Sequence, residues 1–197
     1  KTLEKAILDT GKNGGYLRLP QHATNNLQEK VPYYQDQGQS FIPSQDTVAT
    51  ELASYVDAAL PSCLEQFTPF QRQGFTISTT HPRSTAYFSE NKITLTTVLP
   101  LSISQGIQIR ELSTFAVTIP AHQLYQNLQT AKVIVDSLDE QQRVCLTCFA
   151  SLAAEQNIFV GVIPIGNNTY LFDLKDNDYF INEEEYHLRF AVRLADE

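Results

Sequence analysis

Methionine is absent from the 197 residues, which begin at Lys1. A translated chain begins with Met, so the sequence reads as a processed or trimmed product. The expectation is a tag, a signal peptide or a membrane anchor upstream of Lys1. Basic residues are scarce: 14 Lys and Arg stand against 22 Asp and Glu, for a net charge of −8. That balance argues against binding a phosphate backbone, where Lys and Arg must neutralise the ligand. Glycine and proline are also few, at 8 and 9 residues, which excludes a collagenous or low-complexity chain. No apolar run approaches the roughly 20 residues that span a bilayer. Charged residues make up only 18% of the chain and hydrophobic residues 42%, so it is neither disordered nor a coiled coil.

Catalytic and metal-binding signatures are missing too. The four histidines, His22, His81, His122 and His187, are scattered and make no HxH or HExxH. His81 and His122 read as solvated turn residues beside prolines. No serine lies in Gly-x-Ser-x-Gly, and no GxGxxG or P-loop occurs. Three cysteines are present, Cys63, Cys145 and Cys148, and zinc would need about four ligands. No cofactor or metal is expected. The acidic stretch from Asp173 to Asp178, followed by Glu183-Glu184-Glu185, reads as a solvated turn. A calcium site is its alternative, since hard carboxylate oxygens suit that ion.

What is present is periodicity. Leu3, Ala6, Ile7 and Thr10 share a helical face, and Gly11 is a stop signal. Residues 1–12 are therefore expected to continue an anchor helix. Tyr16 to Pro20 alternates like a short strand. Residues 21–40 are polar and read as a long surface loop with exposed Tyr33 and Tyr34. Ser44 is a good N-cap, and Val48, Leu52, Tyr55, Val56 and Ala59 recur at helical spacing, predicting a helix over 44–66. Alternation from Phe75 to Ile119 predicts four antiparallel strands, a meander over 75–119. Helical stripes return over 121–156, as one helix to about 137 and a second opening at Asp139-Glu140. Strands follow from Ile158 to Leu194. The order indicates an α+β domain spanning 1–197, an antiparallel sheet with helices packed on it.

Cys145 and Cys148 form Cys-Leu-Thr-Cys. A redox pair of this spacing belongs at a helix N-terminus, where the dipole lowers a thiol pKa. The pattern places both inside the second helix, on its apolar face, so we read them as two small buried hydrophobes. A bridge from Cys63 to one of them is the alternative. Asn167-Asn168-Thr169 is a glycosylation sequon in an expected hairpin turn, with Asn167 as acceptor.

Several segments together resemble a known group. They are Leu3-Glu4-Lys5, Gly14-Gly15-Tyr16 ending at Pro20, Val31-Pro32-Tyr33-Tyr34 and Leu60-Pro61-Ser62-Cys63-Leu64. Gln73-Gly74-Phe75, Val98-Leu99-Pro100-Leu101, Ile163-Pro164-Ile165 and the sequon continue the series. Their order resembles uncharacterised archaeal proteins with one N-terminal transmembrane helix and a secreted α+β domain. The resemblance covers nearly the whole chain but rests on structural turns. It departs at Thr2, where members often carry a Cys. It implies an external, membrane-anchored domain at the cell surface.

The expected function is that of a non-catalytic, surface-exposed domain, pilin-like in layout, acting through protein partners or self-assembly. The alternative is a small-ligand binding domain with a cystatin-like curved sheet, its pocket lined by Phe75, Tyr87 and Phe115. That alternative is analogy of fold alone.

Overall fold

The protein is described from a computed structural model, which covers residues 1–24, 30–64, 67–89, 92–120, 122–141 and 143–195. It is an α+β fold. Helix α1 (Thr2–Lys12) buries Leu3, Ala6, Ile7, Leu8, Thr10 and Gly11 on one face. Its exit is a glycine turn: the Gly15 N–H donates to the Thr10 carbonyl at 2.6 Å, with Gly14 and Gly15 both at positive φ. Tyr16 to Pro20 has no strand pairing, so the expected strand there is not formed.

Strands β1 (Tyr33–Asp36) and β2 (Gln39–Ser40) form a hairpin across Gln37-Gly38, both at positive φ. This corrects the reading of 21–40 as one long loop, although its residues 25–29 lie outside the described residues. Tyr34 is also corrected: it is fully buried, because β1 pairs in parallel with β9 (Glu184–Arg193) and turns that ring inward.

Helix α2 (Gln45–Leu64) opens at Ser44, whose hydroxyl accepts the Thr47 N–H at 3.1 Å. Pro61 lies within the helix, and a short α3 (Thr68–Arg72) follows. Then come β3 (Thr76–Thr79), β4 (Arg83–Ser89), β5 (Lys92–Gln105) and β6 (Gln108–Pro120), all antiparallel. Strand β6 runs the length of one edge of β5, while β3 and β4 lie end to end along the other. The expected four-strand meander is thus corrected to three, β4 to β6, because β3 pairs with the far half of the long β5 rather than with β4. Helix α2 packs across β4.

Helices α4 (His122–Gln141) and α5 (Leu146–Gln156) precede β7 (Ile158–Gly166) and β8 (Thr169–Ile181). The strands divide between two sheets. One holds β3 to β6; the other has the order β2-β1-β9-β8-β7. The acidic stretch 173–178 is not a turn but part of β8, since Phe172, Leu174 and Asp176 keep the strand alternation and face inward.

A continuous core joins both sheets. Phe88, Ile93 and Leu95 reach it from one, and Phe172, Leu188 and Phe190 from the other. Leu52, Leu128 and Ile134 enter from the helices. Tyr34, Phe190 and Phe172 stack in series at 4.4 and 5.1 Å between ring centroids, and Phe149 meets Phe172 edge-on.

Candidate interaction surface

Two regions of this fold depart from an ordinary polar surface. The first is β6. Its inner edge bonds to β5, but its outer edge pairs with no strand among the described residues. Every residue from Gln108 to Thr118 is exposed, including Ile109, Leu112, Phe115 and Val117, and Ile107 in the preceding turn is fully exposed. Scattered apolar side chains on a surface are ordinary; a series of them along one open strand edge is not. Edge strands are commonly blunted by Lys, Pro or a bulge. Here the bulge lies in β5, between Val98 and Leu101, and the only charges on β6 are Arg110 and Glu111.

The same strand forms one wall of an apolar groove of about 370 Å³. Val56 and Leu60 of α2 face Leu95 and Leu99 of β5 and Phe115 and Val117 of β6, with Lys1 and Glu4 at the mouth. Register explains the membership. Thr97 opposes Phe115 and Leu95 opposes Val117, so both β6 side chains stand on the face of β5 that turns inward. Of the three aromatic residues expected in a pocket, only Phe115 lines this one. Tyr87 opposes Thr94 on the other face and is 72% exposed, because strand parity sends Phe88 inward instead. Phe75 precedes β3 and lies apart from the groove.

The second region is the start of α5. The structure joins Cys145 to Cys148 as a disulfide and leaves Cys63 an exposed free thiol at the end of α2. Neither a Cys63 bridge nor two buried thiols is found. The physical reason is the position of the helix break. Helix α4 extends to Gln141 and α5 starts only at Leu146, so Cys145 is the N-cap rather than an interior residue. Its sulfur accepts the Cys148 N–H at 3.2 Å. Cys148 is exposed, and Phe149 supplies the buried face that the pattern assigned to the cysteines.

Asn167 is exposed in the two-residue β7–β8 turn with Asn168, at φ of 50° and 51°. It borders a polar cleft where Asp36 accepts two hydrogen bonds from Arg193, at 2.6 and 2.7 Å, while Arg193 lies over the Tyr33 ring. On the outer face of β8 and β9, His187 Nδ1 is 2.8 Å from Asp173, which also pairs with Arg189. The sequence marked Asp173 only as part of an acidic stretch; its pairing with His187 and Arg189 comes from the register of β8 against β9.

Asp176, in contrast, is buried and accepts a hydrogen bond from the Gln123 amide. Among the described residues no group of three or more His, Cys, Asp or Glu is arranged to hold a metal ion. No described helix is long and apolar enough to cross a membrane. Compared with protein families, with curated proteins and with solved structures, the chain matches none.

Proposed function

We propose that this chain is a non-catalytic interaction domain that works by protein association or self-assembly, with β6 as its contact edge. The observation that carries the reading is the 13-residue strand Gln108–Pro120, open along one edge and exposed throughout from Gln108 to Thr118. Strand addition to such an edge would supply main-chain hydrogen bonds, and Ile109 and Leu112 would supply apolar contact. The resemblance to anchored archaeal proteins extends the proposal to a cell-surface location, which the exposed Asn167 sequon supports. Sedimentation equilibrium tests the association. The chain should associate with rising concentration, and the double variant Ile109→Lys/Leu112→Lys should not. A strictly monomeric chain at millimolar concentration, with no partner retained on β6, would defeat the self-assembly form.

The groove favours a second reading, a site for a small apolar ligand. Its walls are mostly aliphatic or aromatic, with Thr2 and Thr97 as polar side chains besides Lys1 and Glu4. A polarity-sensitive fluorophore should brighten on binding the chain and lose that signal in Val56→Asp. An unchanged signal in the variant would remove the groove from consideration.

A further inference from the structure

We propose that Cys145 and Cys148 form a thiol–disulfide exchange site that accepts electrons from a dithiol segment of another protein. The inference stands independently of the association reading. Three features support it. The bridge spans a sequence separation of only 3, so it constrains little of the unfolded chain and links no two distant elements. A purely structural role leaves its place unexplained. It also occupies the first turn of an 11-residue helix, with Cys145 as N-cap. Finally, it is reachable: Leu146 is 65% exposed, and Thr147 and Cys148 are exposed beside it. The neighbouring helical surface, Ala150 and Ser151, is exposed and uncharged, a suitable platform for an extended peptide.

The two sulfurs are not equivalent. Cys145 Sγ receives the Cys148 N–H at 3.2 Å and lies 3.5 Å from the Thr147 hydroxyl, which can turn its proton toward a sulfur anion. The positive end of the helix dipole adds to both. Charge on sulfur is therefore best accommodated at Cys145, and the sulfur that holds charge best leaves fastest. An incoming thiolate is directed to the sulfur of Cys148, the more exposed residue of the pair. A new S–S bond forms there as the Cys145–Cys148 bond breaks, and its electron pair departs on Cys145. The partner's second thiolate then attacks its own sulfur in the mixed disulfide and releases Cys148 as a thiolate. The partner ends as a disulfide, having lost two electrons and two protons. The chain ends as two thiols holding both. The exchange is stoichiometric, one disulfide consumed for one made.

The test uses the full chain and a synthetic peptide bearing two cysteines. The oxidised chain should convert the peptide to its disulfide one for one, and Cys63→Ser should do so equally. Cys145→Ala/Cys148→Ala, shown folded by circular dichroism, should not. A second measurement needs no variant. In the reduced wild-type chain under mildly acidic conditions, Cys145 should be alkylated about tenfold faster than Cys63, as mapped by peptide mass. Peptide oxidation no faster than with the double variant, or alkylation of Cys145 no faster than of Cys63, would overturn the proposal.

Discussion

The Tyr55 hydroxyl donates a 2.6 Å hydrogen bond to the Asp9 carboxylate, tying α2 to α1. Burial and this carboxylate push the Tyr55 phenol from its ordinary 10.0 up to about 12. Tyr34 and Tyr186 are raised well above 10.0 by burial, each with a further contribution from neighbouring tyrosines. Below pH 10 these phenols are neutral in the folded and unfolded chain alike. Between pH 10 and 12 the unfolded chain releases protons that the folded chain retains, so stability falls as pH rises across that window. Urea unfolding at a series of alkaline pH values should show this slope, and Tyr55→Phe should make it shallower. A pH-independent midpoint across the window would contradict the assignment.

The stack of Tyr34, Phe190 and Phe172 joins β1, β9 and β8 through ring contact. Removing its central member leaves a large void between two fully buried rings. Phe190→Ala should cost about 3–5 kcal/mol. Chemical denaturation would measure it, with a fall in midpoint at unchanged slope.

Gly11 is a glycine inside a helix, ordinarily a weak choice. Here the reason is contact. A Cβ at this position would lie 2.4 Å from the His187 carbonyl oxygen and 2.5 Å from the Tyr186 ring. Helix α1 approaches β9 only because that atom is missing. Gly11→Ala gains about 1 kcal/mol in helix propensity, yet the collision with backbone should outweigh it. The net loss should be about 2 kcal/mol, of the order seen on overpacking. A thermal midpoint at or above that of the parent chain would refute this.

Asn127 is fully buried on α4, and neither amide atom has a hydrogen-bond partner among the described residues. Burying an amide without a partner costs about 1–3 kcal/mol. Asn127→Leu keeps the branching and the number of heavy atoms, removes that cost and adds apolar contact. It should raise the thermal midpoint, the reverse of what most core substitutions do.

Several of these features were legible in the residues and several were not. The β4–β6 meander follows from alternation, and α2 begins at the serine that its cap requires. Strand β1 was hidden, because Tyr33 to Asp36 is short and lies in a polar stretch; its register comes from a parallel partner far along the chain. The full length of β8 was obscured by the polar run from Asp173 to Asp178, in which Asp176 takes a buried place in the alternation after Leu174. The break before α5 carries neither Gly nor Pro, and its cap is a sulfur rather than the usual oxygen. That single shift in a helix boundary took both cysteines out of the core, leaving Cys145 half-buried and Cys148 exposed. Of the groove, Phe115 could be anticipated. Its opposite wall, Val56 and Leu60, depends on how α2 lies against the sheet, which strand alternation does not specify.

The parallel pairing of β1 with β9 also governs the order in which this fold can be completed. Tyr33 meets Ala191, and Gly11 packs under Tyr186 and His187. On a ribosome, α1 and β1 emerge early and have no sheet to join until β9 is made. Helix α1 can pack on α2 early, but its contact with β9 and the burial of the Tyr34 ring must wait for that late strand. Contacts of such long range carry a large loop-closure cost before any packing compensates them, which slows folding. The β4–β6 meander is local and can assemble first, with β3 adding to β5 beyond the end of β4, while the sheet that holds both early and late strands closes last.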